Sequence, residues 1–408
     1  MKKILSLFLA LCLILLAGCV QEAPPPDTVP TEPPTDAPTQ TQSSTEPTDT
    51  PEPAAQIRLH DSDPSRQPVW QALAKEYTDL TGVPITLLDP DAALLPLDAE
   101  QTPTIFTLST QSDSIFWSDY CLNLSGQPVY NELLSGNFAL RHGDKVLGVA
   151  ARTEFFGLVY NTSLLARAAY TRADIQSMDA LISIVQDITA NRDTLGFAAF
   201  ACPDLSNTDS NSFSALFGSI PADLRDFWDL YADNAVCSRQ NIAECTTSGG
   251  LEELLQGKAV FYLAGAGDYD KLRTLQDYEI AMLPIFFGSA NQQSQGLCAL
   301  DTAYWCIHAN APEADQQAAL AFLNWLVTPR ADGTVPVDAF GVLAPYRQAQ
   351  YVANPLEAAA RAELLEGKQA VICSRYNGSV EALAQALATY AGDPTDENWA
   401  AVTQMLNR

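Results

Sequence analysis

The run Lys145 to Leu165, KVLGVAARTEFFGLVYNTSLL, is apolar on both sides of an Arg152-Thr153-Glu154 triplet that is out of place in a pure core. Strands apolar on both faces belong to a covered α/β sheet, so this triplet is the first candidate for chemistry. Two more carboxylates, Asp61 and Asp63, follow the apolar stretch Ile57-Arg58-Leu59-His60. They lie at the carboxyl edge of a strand, where α/β sheets take ligands. A plainer alternative stays open, that Asp61 to Pro64 only caps the helix that follows. Paired carboxylates such as Asp61 and Glu154 could also flank a glycosidic bond, as in an exported glycoside-cleaving enzyme. His60, His142 and His308 are scattered singly, and no Cys/His spacing suggests zinc. We expect no metal and no cofactor.

The elements that must position these residues follow from periodicity. Val69 to Leu80 reads as a helix closed by Thr81-Gly82, and Val83 to Leu88 as the next strand, a parallel strand-helix-strand unit. Thr104 to Leu108 is a third strand, followed by a polar loop with Ser112 and Asp113. Around the triplet, Val146–Ala150 and Phe156–Tyr160 read as two strands joined by a short crossover, with a helix from Ser163 to Ala168. Ser177 to Ala190 is an amphipathic helix with Met178, Leu181, Ile182, Val185 and Ile188 on one face. Gly196 to Phe200 is a strand, and Trp228 and Tyr231 share a core-facing helix side with Leu224 and Phe227. Leu251 to Gln256 is a helix ended by Gly257, and Lys258 to Leu263 is the strand it feeds. From Gly296 the pattern is two short strands, then a helix that begins at Pro312 and stops before Pro329; a last helix runs from Pro394 to Leu406.

The whole chain narrows the classes. Its 408 residues allow two domains with sizeable cores. Only 22 basic residues face 49 acidic ones, which makes a nucleic-acid backbone an unsuitable partner. Lys2 and Lys3 precede an apolar run, Ile4 to Leu16, that is short for a membrane span, and Leu16-Ala17-Gly18-Cys19 follows. An uncleaved membrane anchor is the other reading of this stretch. Val20 to Ala55 is Pro- and Thr-rich, without Lys or Arg, and cannot bury enough surface to order itself. As a loose coil these residues would span about 35 Å, and about 110 Å in polyproline form. Beyond Cys12 and Cys19 seven cysteines remain, so at least one is unpaired; Cys237 with Cys245 is the most plausible local disulfide.

Several motifs then carry a family resemblance. Glu154 lies six residues before Tyr160-Asn161, and GKAVFY spans Gly257 to Tyr262. Tyr304-Trp305-Cys306-Ile307-His308 is followed by Phe322 to Leu326, and Phe340-Gly341-Val342-Leu343-Ala344-Pro345-Tyr346 comes after that. Together they resemble the maltose-binding type of extracellular solute-binding lipoproteins, which serve sugar ABC transporters. The resemblance implies a two-lobed periplasmic-binding-protein-like α/β fold (type 2), each lobe a sheet covered by helices, joined by a multi-crossing hinge. It implies a signal peptide over 1–18, and acylation of Cys19 with a disordered tether over 19–56. One lobe would be 57–153 with 300–338, the other 154–299 with 339–408. The partners implied are a small solute, most simply a carbohydrate, the ABC permease subunits, and the membrane through the lipid anchor only. The protein would be a monomer on the outer face of the cell membrane, of Gram-positive type, and not an enzyme.

In that frame Glu154 lines the cleft and accepts sugar hydroxyls, or else is a surface carboxylate in a loop. Asp61, Asp63, Ser112, Asp113 and Asp301 are further polar candidates. Phe200, Trp305 and Tyr376 are candidate stacking aromatics, with core packing the alternative for Phe200 and Trp305; Arg375 flanks Tyr376. Where the family continues GKAVFY with Asn-Gly-x-Trp, this chain has Ala264-Gly265-Ala266-Gly267, so the tryptophan platform is missing. Asp268 and Tyr269 are the candidates to replace it. That departure leaves room for a peptide, polyamine or other non-sugar solute.

Overall fold

The computed structural model describes residues 54–92, 102–109, 113–244, 249–273, 280–286, 295–367 and 370–406. The expected signal peptide, Cys19 and nearly all of the tether lie outside these. Everything below belongs to the unit Pro53–Arg408.

Strand β1 (Ile57–His60) runs parallel to both β2 (Ile85–Leu87) and β3 (Ile105–Leu108). The helix Gln67–Thr81 that links β1 to β2 buries Trp70, Leu73, Ala74 and Tyr77, the three- and four-residue spacing of its apolar residues. It stops at Gly82, whose φ of 77° is left-handed and favours a residue without Cβ. Eight further strands complete the sheet: β4 (Ala139–His142), β5 (Lys145–Asn161), β6 (Ala198–Phe200), β7 (Ala259–Gly265), β8 (Ile280–Leu283), β9 (Ile285–Phe286), β10 (Gln295–Ile307) and β11 (Ala370–Ile372). Their order is β2-β1-β3-β10-β5-β7-β6, with β4 and β8 on β5, and β9 and β11 on β10.

The expected strand-crossover-strand around the triplet is instead one strand of 17 residues. Strand β10, itself continuous over 13 residues where two short strands were expected, pairs antiparallel along β5 from Cys298–Phe156 to Cys306–Gly148. This partner supplies hydrogen bonds across the polar triplet, so the backbone has no reason to turn there. Both long strands are shared between two groups. The amino-terminal half of β5 pairs with β4, and its carboxyl-terminal half with β7 and β8. The end of β10 pairs with β3 and its beginning with β11. Register shifts fall at Leu300/Ala303 and Ala303/Tyr304, where the groups join. Further along β5, close approach to β8 needs glycine: a Cβ on Gly157 would stand 2.4 Å from the Leu283 carbonyl.

The surrounding helices follow the expected caps. Asn161 Oδ1 accepts from Leu164 N, opening the helix Thr162–Arg167, and Ser177 opens Met178–Ala190. Ile184 is buried in the latter helix and Ile182 only half-buried, a rotation of the expected face. After the helix Glu313–Leu326 the chain passes through Tyr346, whose Oη donates to the Ala150 carbonyl of β5 at 2.7 Å. It then enters the helix Pro355–Leu365, which packs on β8. That is the third passage between strand groups, after β5 and β10. Ser379 caps the helix Val380–Gly392, and Asp396–Leu406 is the last helix. No helix among the described residues is long and apolar enough to cross a membrane.

Candidate functional site

Strand alternation puts Arg152 and Glu154 on one face of β5 and Thr153 on the other. Thr153 is buried, its hydroxyl 3.0 Å from that of Thr302 on β10, so the two long strands are tied where the groups join. Arg152 points toward the β1 side, 3.9 Å from Asp63, and Glu154 toward the opposite side, 3.8 Å from Arg375. Arg375 follows β11, and its Nη1 donates to the Ser210 carbonyl at 2.7 Å and to Asn211 Oδ1 at 2.9 Å. The Glu154 side chain is 56% exposed. An exposed pair at this separation contributes only about 0.2 to 1 kcal/mol, so Glu154 keeps accepting capacity for another donor.

Beside Glu154 opens a small recess of about 30 Å³ lined by Phe156, Asn211, Gly265, Gly267 and Asp268 among others. Its floor is the end of β7 and the 3-10 turn Ala266–Asp268. That turn is held by Asn354, which donates to the Ala266 carbonyl at 3.2 Å while its side chain also caps Pro355–Leu365. Asp268 pairs with Lys271 at 3.0 Å. Glu357, on the capped helix, has its carboxyl pushed up by burial; a hydrogen bond from Ala353 N opposes this, and the Glu154 charge adds to it. The recess is therefore open at Glu154 and floored by residues with little or no side chain.

Residues 72–335 match the bacterial extracellular solute-binding proteins. The chain belongs to that family. Among solved structures it is similar to the bacterial solute receptor AcbH, with 15% identity over 86% of this chain and 97% of that one, and a TM-score of 0.62. It is similar to the apo form of RafE from Streptococcus pneumoniae, with 11% identity, coverage of 88% and 97%, and a TM-score of 0.59. A cyclic alpha-maltosyl-1,6-maltose binding protein from Arthrobacter globiformis gives 14%, 87% and 98%, and 0.53. At these identities the likeness is one of fold, and it is the two-lobed α/β solute-binding fold expected from the sequence. No curated protein matches the chain.

The other residues singled out in the sequence take varied places in this solute-binding protein. Asp61 is 3% exposed and fully engaged: it accepts from Trp70 Nε1 at 2.8 Å, Arg66 Nη1 at 3.2 Å, and Asp63 N at 3.1 Å. These bonds hold the turn after β1. Asp63 caps the 3-10 turn Pro64–Arg66. Burial alone would raise its carboxyl, but the Ser65 hydroxyl and N–H, then Arg66 and Arg152, outweigh it and hold Asp63 below the usual carboxylate range. Phe200 is buried and stacked on Tyr231 with centroids 4.4 Å apart, which makes it core rather than platform. Trp305 is likewise buried, edge-on to Trp70 at 5.9 Å and stacked with Tyr346. Tyr376 packs its ring on Gly218, where a Cβ would meet it at 2.8 Å, and its hydroxyl reaches the Met405 carbonyl at 3.2 Å; the ring faces its own helices. Tyr269 begins the short helix Tyr269–Leu272 and packs half-buried on the core. Asp113 begins the helix Asp113–Trp117, and Asp301 lies within β10. Ser112 and Cys245 lie outside the described residues.

One residue lining the recess escaped the sequence reading. Asn211 sits in the loop Asp204 to Ser212, whose one signal was a polar run after a strand's carboxyl end.

Proposed function

We propose that this solute-binding protein captures a sugar or oligosaccharide between two lobes and hands it to the membrane permease of an ABC importer. The lobes would be 57–153 with 300–338 and 154–299 with 339–408, closing by hinge motion across β5, β10 and the passage at Tyr346. Glu154, Asn211 and Asp268 would accept and donate to hydroxyls, Arg375 holding Asn211 in place. Acylated Cys19 and the tether would keep the protein at the outer membrane face. The observation that carries the reading is the open Glu154 carboxylate, beside the recess at the join of the strand groups. Support for a sugar comes from two proteins of the same fold, one described as preferring b-D-galactopyranose and the other named for a cyclic maltosyl-maltose.

A second reading, capture of an amine or other cation, is favoured by the two carboxylates that line the recess, Glu154 and Asp268. Thermal-shift screening of galactose, raffinose and maltodextrins against spermidine and short basic peptides separates the two. A solute at 100 times its Kd adds about 2.7 kcal/mol of stability. Stabilisation by a sugar returned chemically intact supports the proposal. Stabilisation by amines alone transfers it to the second reading, and appearance of cleaved sugar refutes a pure binder.

A further inference from the structure

We propose that the exported protein carries a disulfide between Cys202 and Cys237, which pins the root of the loop bearing Asn211. Cys202 lies two residues beyond the end of β6 and is buried; its N–H donates to Glu253 at 2.7 Å. Cys237 follows the helix Arg225–Asp233 and is half-buried. Between them Phe200 and Ala235 form a parallel bridge, with Phe200 N donating to Asn234 O at 3.1 Å and Val236 N to Phe200 O at 2.8 Å. Two residues on along each segment, alternation returns the side chains to the same face, so Cys202 and Cys237 stand opposite one another. Their sulfurs are 2.8 Å apart. A disulfide bond is about 2.05 Å, and adjacent extended segments give the Cα separation it needs, so less than an ångström of movement closes it.

The compartment favours the bond, because an extracellular solute-binding protein works where disulfides persist. The oxidant is a disulfide, either a small one or that of an exported oxidoreductase. The more accessible Cys237 thiolate attacks it, forming a mixed disulfide and expelling one thiolate. Cys202, having lost its proton, then attacks the Cys237 sulfur and expels the second. Two protein thiols thus give one disulfide, and the oxidant becomes two thiols. The ring so closed contains Ser210 and Asn211, which hold Arg375 beside Glu154. The expected partner of Cys237 from sequence proximity, Cys245, is displaced in this proposal by a residue 35 positions away.

Trypsin separates the three cysteines: Cys202 falls in 193–225, Cys237 in 226–239 and Cys245 in 240–258. The purified protein is equilibrated with oxidised glutathione, blocked with N-ethylmaleimide in denaturant, and digested without reduction. Peptides 193–225 and 226–239 should appear joined. Dithiothreitol should lower Tm by about 5 °C more in the parent than in Cys237→Ser. Recovery of both peptides with alkylated cysteines, or of 226–239 joined to 240–258, overturns the proposal.

Discussion

Replacing Asp61 separates its structural role from a ligand-binding one. Its carboxylate accepts from a buried guanidinium and from the Trp70 indole, and is 3% exposed. In Asp61→Ala, Arg66 keeps only Asp63, whose Oδ2 lies 3.2 Å from its Nε and is 28% exposed. Breaking a buried ion pair by removing one partner costs about 3 to 5 kcal/mol. The unit 53–408 has an unfolding entropy of about 0.75 kcal/mol/K at about 2.1 cal/mol/K per residue, so Tm should fall by about 4 to 7 °C. Asp61→Asn keeps an acceptor for Trp70 and should lose about a third to a half of that. Differential scanning calorimetry reads the shifts, and titration of the solute found by thermal shift reads affinity, which should stay within twofold for Asp61→Asn. A Tm unchanged in Asp61→Ala together with a tenfold loss of solute affinity in Asp61→Asn would refute the structural assignment.

Three further outcomes follow from the join of the two strand groups. Thr153→Val strands the Thr302 hydroxyl, at a cost of about 1 to 3 kcal/mol, whereas the Thr153→Val/Thr302→Val pair should recover most of the loss; chemical denaturation of the two variants shows whether that coupling exists. A Cβ on Gly267 meets nothing within 4 Å, so Gly267→Trp should leave stability within about 0.5 kcal/mol. If the solute is a sugar, stacking worth about 0.5 to 1.5 kcal/mol should tighten binding two- to tenfold, measured by titration calorimetry. Glu357 has its folded carboxyl raised above the ordinary 4.5, so the folded state holds the extra proton in the window just above that value and stability falls as pH rises through it. Glu357→Gln should flatten this fall in Tm-against-pH profiles, and an unchanged profile would discount the burial and the Glu154 repulsion.

The triplet stood out in the sequence because polar residues inside an apolar run are costly without a reason, and on β5 Arg152-Thr153-Glu154 lies between the stretch paired with β4 and the stretch paired with β7 and β8. That β5 runs unbroken through it was not legible, since continuity is imposed by β10, some 150 residues on. For Phe200 and Trp305 the sequence left stacking and core packing both open, for a similar reason. Phe200 ends β6, Trp305 lies within β10 and Tyr376 follows β11, but the sequence does not say which face they take, and Tyr231, Tyr346 and Gly218 pack against them. Asn211 lies in a loop without periodicity, so only the fold brings it to Arg375 and Glu154. The Cys202–Cys237 contact depends on a parallel bridge between non-consecutive segments, which spacing along the chain cannot reveal.

The most direct measurement is titration calorimetry of the stabilising solute against the parent, Glu154→Ala and Asp268→Ala. Each lost carboxylate acceptor should weaken binding about tenfold or more, corresponding to about 1.5 to 3 kcal/mol, with Tm of the unliganded variants close to the parent's. Parent-like affinity in both variants would contradict capture of the solute at the join of β5 and β10.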